Sequence, residues 1–231
     1  MKKNVFARQI VAEFIGTAVF LTAIVGVNAG NVGPLAGLAA ASSLGLMILL
    51  LGDVSGGHFN PAVSLFFFAR KEISARQFFG YVVGQLAGSV AGVALGAAIW
   101  ANSSLLTVNS DALGATPAAF ISEVVATAGL VWLIAKLARD GKGSLIAPVV
   151  AAWVFAAGTF TSTHAIANPA VTFGRFFTPV AGAEIQVTAG LELVVAQVAG
   201  TLVALVLLTF VSGAGIGKVK AKKASKPRAK K

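Results

Sequence analysis

The sequence contains no cysteine, two histidines, one tyrosine and only eight carboxylates against eighteen Lys and Arg in 231 residues. Without cysteine there is no disulfide, no thiolate nucleophile and no thiolate metal site, and either redox compartment is compatible. His58 and His164 stand far apart with no second ligand nearby in the chain, so no metal is expected. No phosphate-binding Gly-rich loop and no catalytic constellation is present, so neither an enzyme nor a cofactor is expected. Charge is scarce as well. Charged residues make up 11% of the chain and hydrophobic ones 57%, with mean hydropathy +0.86. A soluble domain needs more polar surface than this, so the chain is read as a polytopic membrane protein.

Six stretches, 9–29, 34–52, 78–100, 117–138, 144–161 and 189–212, are long enough to cross a hydrocarbon core of about 30 Å. The first is too long for the core of a cleavable signal and is expected to be retained. Two further apolar segments, 61–69 and 169–177, are too short to span. Each follows an Asn suited to capping and opens with a Pro suited to a first helical position. They read as half-spans that enter from opposite sides and together complete a seventh crossing. Asp53 is expected to end the second span.

The halves repeat. YVVGQLAGSVAGVALG at 81–96 matches LVVAQVAGTLVALVLL at 193–208, aligning Gln85 with Gln197, and AEFIGTA at 12–18 matches SEVVATA at 122–128, aligning Glu13 with Glu123. Asn60 aligns with Asn168, so the offsets are 112, 110 and 108 residues. An odd number of spans per half forces the halves to insert with opposite orientation, which places a site near the midplane. The predicted fold class is therefore all-α: six transmembrane helices and two re-entrant half-helices in an inverted repeat. The channel domain is set at 1–213, with repeat 1 at about 8–100, repeat 2 at about 117–212, and a basic tail at 214–231. That tail holds eight of the eighteen cations and reads as disordered. With the amino terminus inside, Lys2, Lys3, Arg8, Arg70, Lys71, Arg76, Lys136, Arg139, Lys142 and the tail are all cytoplasmic, and Arg175 is the exception.

Two half-helices meeting at mid-membrane would present unpaired N–H groups and positive dipole ends that repel cations, with the Asn60 and Asn168 amides as lumen donors. The paired motifs SGGHFNPAV and ANPAV, with AEFIGT near the start, resemble the aquaporin and aquaglyceroporin (major intrinsic protein) family over about residues 8–212. The resemblance implies a lumen lined by Asn60, Pro61, Ala62, Asn168, Pro169 and Ala170, one pore per subunit and a homotetramer. Glu13 and Glu123 lie inside spans, where proton relay or support of the half-helix loops are the alternatives. Their matched positions favour support, and the resemblance implies the same, with His58 as a loop brace. Gln85 and Gln197 are expected to bond helix to helix. His164 is expected in a structural or vestibule role.

Most of the family carries an Arg after the second Asn-Pro-Ala, narrowing the filter; this chain has Val171. Arg175, one turn further along the half-helix, is not expected to substitute. By spacing, the other filter positions are Ala40, Ala156 and Ala165, giving a wide apolar ring without a bulky aromatic. The expected function is a passive channel for water and small uncharged solutes such as glycerol-like polyols, urea or neutral metalloid hydroxides. This resembles a bacterial subgroup with Val at the Arg position, and the expected location is the bacterial inner membrane. A secondary transporter is the alternative, and a scaffold or lipid-binding role centred on the tail is a third. The tail is a candidate for anionic head groups; nucleic-acid binding lacks aromatic interleaving or a fold and is not expected.

Overall fold

The computed structural model of the protein describes residues 4–33, 35–101, 104–109 and 115–211. The expected tail at 214–231 lies outside the described residues. The helices in chain order are α1 (Asn4–Ala29), α2 (Leu35–Ser55), α3 (Pro61–Ala69), α4 (Ala75–Ile99), α5 (Pro117–Arg139), α6 (Ile146–Phe160), α7 (Pro169–Arg175) and α8 (Val187–Phe210). A 3-10 turn (Gly143–Leu145) leads into α6. Among the described residues there is no strand. Six helices are long and apolar enough to cross a membrane. The remaining two, α3 and α7, hold 9 and 7 residues, about 14 and 10 Å of rise, so each reaches only part-way.

Helix starts follow local chemistry. Ser74 and Gln77 form a capping box at α4, and Thr116 caps α5 through the Ala119 N–H at 3.1 Å, with Pro117 in the first turn. Asp53 does not end the second span. The helix continues to Ser55, because that residue is tied down twice: its Oγ donates to Glu13 at 2.6 Å, and its carbonyl accepts from the Tyr81 hydroxyl at 2.6 Å. The final half-helix stops at Arg175, where Phe176 and Phe177 tighten into bonds to the carbonyls of Phe173 and Gly174.

The closest helix pairing is α1 with α4. Gly84, Gly88 and Gly92 on α4 meet the carbonyls of Ile10, Phe14 and Ala18, where an added Cβ would come within 2.9, 2.4 and 2.3 Å of backbone oxygen. Gly80 and Gly96 extend the same ridge against Phe6 and Val25. Both series rise together, so the helices run parallel. A glycine every fourth residue lets the backbones touch, as small residues do at membrane helix interfaces. Side chains such as Leu49, Leu50, Phe79, Val83 and Phe210 remain exposed on the perimeter. A hydrocarbon solvent suits that surface, and water does not.

Six traversals bring Asn4 and Phe210 to one side, termed the terminal side; the other is the far side. The site is positioned by α3 and α7, which start in the centre and end on the terminal and far sides respectively.

Candidate functional site

Each half-helix begins at an asparagine used in two directions. Asn60 Oδ1 accepts from the Ala62 N–H at 2.8 Å, and Asn168 Oδ1 accepts from Ala170 and Val171 at 3.0 and 3.4 Å. The amide nitrogens then cross over. Asn60 Nδ2 donates to the carbonyl of Ala167 at 2.7 Å, and Asn168 Nδ2 donates to the carbonyl of Phe59 at 2.8 Å. Each half-helix is thereby latched to the residue preceding the other. A carboxamide nitrogen carries two donors, so each Asn keeps a second N–H. Both asparagines border a cavity of about 220 Å³.

The loops ahead of the half-helices need left-handed backbone. Gly56, Gly57 and Phe59 have φ of 97°, 64° and 47°, and the equivalent His164, Ala165 and Ala167 have 54°, 51° and 46°. Glycine accepts that region freely and other L-residues at about 1–2 kcal/mol each, so the second loop is the strained copy.

A buried carboxylate holds each loop. Glu13 accepts from Ser55 Oγ (2.6 Å), the N–H groups of His58 (3.0 Å) and Phe59 (2.6 Å), and Gln85 Nε2 (2.7 Å). Glu123 accepts from Thr163 Oγ1 (2.5 Å), the N–H groups of Ile166 (3.1 Å) and Ala167 (2.8 Å), and Gln197 Nε2 (2.6 Å). Four donors converge on each carboxylate, and the two sets superimpose under the sequence repeat. His58 bonds Ser64 Oγ through Nδ1 at 3.0 Å and stacks on Phe67. His164 Nδ1 bonds the Gly158 carbonyl at 3.0 Å. Among the described residues no group of three or more His, Asp or Glu could hold a metal.

Cavities extend from this centre to both sides. The 220 Å³ cavity is bordered by His58, Asn60 and Asn168 together with Leu130 and Ile134 of α5. Toward the terminal side, a space of about 350 Å³ lies among Phe66, Arg70, Glu72 and Arg139, and it shares Phe67 and Ala138 with the central cavity. Toward the far side, a larger cavity of about 670 Å³ is bordered by Ala40, Ala165, Val171, His164 and Arg175. One stripe of α6, Ile146 and Val150 on the central cavity and Val154 and Gly158 on the far one, connects the two. Ala36, Ala40, Leu44 and Ile48 of α2 do the same. A row of cavities passing two latched half-helices between six apolar helices is the form of a transmembrane conduit.

The sequence model of the family described as Major intrinsic protein matches residues 1–166. The chain is 34% identical over 187 residues to the aquaglyceroporin AqpS of Rhizobium meliloti (strain 1021), covering 77% of this chain and 79% of the relative. The chain belongs to the major intrinsic protein family. It is also 37% identical over 194 residues to aquaporin TIP1-2 of Zea mays, covering 73% of each chain. The fold is shared with the X-ray structure of the aquaglyceroporin from Plasmodium falciparum, with TM-score 0.73 at 18% identity over 90% of this chain and 98% of that one. As a member of the major intrinsic protein family the chain is an integral membrane channel for water and small solutes, not an enzyme.

The four filter positions taken from spacing do not all meet. Ala40, Ala165 and Val171 share the wall of the far-side cavity. Ala156 does not border it: with Pro148 and Ala152 it forms an exposed i, i+4, i+8 stripe on the outside of α6. Neighbouring helix positions differ by about 100°, so a one- or two-residue error in phase turns a lumen residue outward. The α6 wall is instead Val154, Phe155 and Gly158, and α1 adds Phe20. Both phenylalanines line this cavity, so its wall includes aromatic side chains. The signal for Phe20 was the i, i+4 stripe Phe20–Ile24–Asn28, which repeats as Leu130–Ile134–Ala138 one half-chain later. Arg175 also borders the cavity, on the same wall as Val171, because α7 runs outward from the centre.

Proposed function

We propose that this channel passes small uncharged solutes along with water: glycerol-like polyols, urea or neutral metalloid hydroxides. The observation that carries this reading is Val171. It follows Asn168-Pro169-Ala170, lies buried in the far-side wall, and sits with Ala40 and Ala165 where no cation narrows the passage. An apolar wall of Ala, Val and Phe side chains selects by size and desolvation rather than by hydrogen bonds at that level. Asn60 and Asn168, with Pro61, Ala62, Pro169 and Ala170 at their helix starts, form the central station. Their free N–H groups donate to a solute oxygen and, with the half-helix dipole ends, disfavour protons and cations. Glu13 and Glu123, assisted by His58, brace the loops. Their oxygens are occupied by donors on every side, which removes the carboxylates that ion-coupled transport would need. Relatedness to an aquaglyceroporin supports the solute class.

The wider assignment follows from charge and family. Both termini face the cytoplasm of a bacterial inner membrane, because Arg8, Arg70, Lys71, Arg76, Lys136, Arg139 and Lys142 cluster toward the terminal side. The channel works as a homotetramer, with the channel domain at 1–213 and the basic tail at 214–231 available to anionic head groups. Stopped-flow measurements on proteoliposomes test the solute reading. Native protein should raise both water and glycerol permeability, and Val171→Arg should lower glycerol flux more than water flux. Native protein that passes no glycerol above empty liposomes, or a Val171→Arg variant that changes neither flux, refutes it.

A further inference from the structure

We propose that Arg175 is the specificity-determining cation of this channel, placed one helical turn beyond Val171 at the mouth of the far-side cavity; the proposal rests on the uncharged-solute reading of the constriction. Four residues along α7 amount to about 6 Å of rise. That places the positive charge further outward along the same cavity, of about 670 Å³, that Val171 lines. Among the described residues lining that cavity there is no Asp or Glu, and Arg175 carries the one permanent charge.

The guanidinium is held in place rather than free. Its Nε donates to the Ala183 carbonyl at 2.5 Å and an Nη2 hydrogen to the Gly182 carbonyl at 3.4 Å. The Arg175 carbonyl accepts from the Ile185 N–H at 3.1 Å and from Asn109 Nδ2 at 3.3 Å, and Asn109 also clamps the carbonyls of Phe176 and Thr178, both at 3.1 Å. The returning loop depends on Gly182, which has φ +79° and where a Cβ would lie 3.2 Å from Asn28 Oδ1. Two of the five guanidinium N–H donors are thereby committed, and the other three have no partner among the described residues.

A fixed fork of donors on a wall that joins Phe20, Ile24, Val27, Phe155 and Val171 with polar Asn28, Thr159 and His164 has two effects. It favours solutes that present two adjacent oxygen acceptors, because a fork satisfies both at once. It also opposes cations: at about 6 Å and an effective dielectric constant near 20, an uncompensated unit charge changes passage at most on the order of 100-fold, and Glu123 and Glu184, which act on the guanidinium from beyond the cavity lining, offset part of that. Val171 leaves its level of the wall without a cation while Arg175 retains the charge one turn further out, so size selection and charge selection are separated along α7.

The test uses the full chain in proteoliposomes, comparing native protein with Arg175→Met and Arg175→Lys for 1,2-propanediol, 1,3-propanediol and sodium flux. Native protein should favour the vicinal isomer and exclude sodium. Arg175→Met should lose the isomer preference and raise sodium leak at least 10-fold. Arg175→Lys should keep sodium out yet lose the preference, since an ammonium lacks the fork. An Arg175→Met protein that elutes as native but shows the native diol ratio and sodium leak overturns the proposal. If Arg175→Met fails to assemble, Arg175→Lys decides: an unchanged diol ratio overturns it and a lost one supports it. If native protein passes neither diol, the uncharged-solute reading fails, and the sodium leak of Arg175→Met still decides on Arg175.

Discussion

Replacing Glu123 by Gln changes one carboxylate oxygen into an NH2 group and nothing else in shape. Each oxygen of Glu123 accepts two bonds: Thr163 and Ile166 on Oε1, Ala167 and Gln197 on Oε2. With the NH2 on the Oε1 side the Thr163 hydroxyl can turn to accept, so the Ile166 N–H is the donor left opposed, and the remaining bonds lose their charge. One opposed buried donor and the weakening of three charged hydrogen bonds together cost about 3–6 kcal/mol. That is a large part of the roughly 5–15 kcal/mol by which folded proteins are stable. Glu13 accepts the same number of bonds at matching distances, so Glu13→Gln should cost the same within about 1 kcal/mol. Gln197→Leu removes one of the four donors to Glu123 and the bond to Thr172 Oγ1, but also removes the buried, unpartnered Gln197 Oε1, and should cost less, about 1.5–3 kcal/mol. Equilibrium unfolding in mixed detergent, followed by size-exclusion recovery, measures all three, with stopped-flow water flux on the folded fraction. A proton relay makes the opposite forecast: stable variants that have lost proton movement. Glu123→Gln protein with native unfolding behaviour would refute the bracing account.

Four further substitutions probe other contacts. Gly88→Ala drives a methyl group to 2.4 Å from the Phe14 carbonyl and should cost about 1–3 kcal/mol or more by overpacking, whereas Gly52→Ala, with open space around its Cβ, should gain up to about 1 kcal/mol; thermal unfolding in detergent compares them. Asn168→Asp removes the donor that reaches the Phe59 carbonyl at 2.8 Å and sets a negative charge at the centre, so it should lower stability by about 1–3 kcal/mol and admit sodium, read as tracer flux. Ala165→Gly relieves left-handed backbone at φ 51° and should gain up to about 1 kcal/mol net of the entropy glycine adds to the unfolded chain; a lower melting temperature would contradict the assignment of strain.

Much of this molecule is legible without coordinates because the signals are short-range. Hydropathy marks the six spans, since each must fill a hydrocarbon thickness by itself. Asn60-Pro61 and Asn168-Pro169 mark the half-helices, since capping is settled within four residues. The pairing of Glu13 with Glu123 and of Gln85 with Gln197 follows from the repeat, and the absence of a cation after Ala170 can be read directly. Other features depend on how helices rotate and approach one another, which hydropathy leaves open. The outward turn of Ala156, the lumen positions of Phe20 and Phe155, and the glycine ridge of α4 against α1 were decided by packing, where one residue of phase is about 100°. The crossed latch between Asn60 and Ala167 and between Asn168 and Phe59 needs both half-helices in place at once. So does the return of Arg175 to the wall it shares with Val171: its guanidinium is fixed by carbonyls of Gly182 and Ala183, on a loop that only the folded chain brings back to the end of α7.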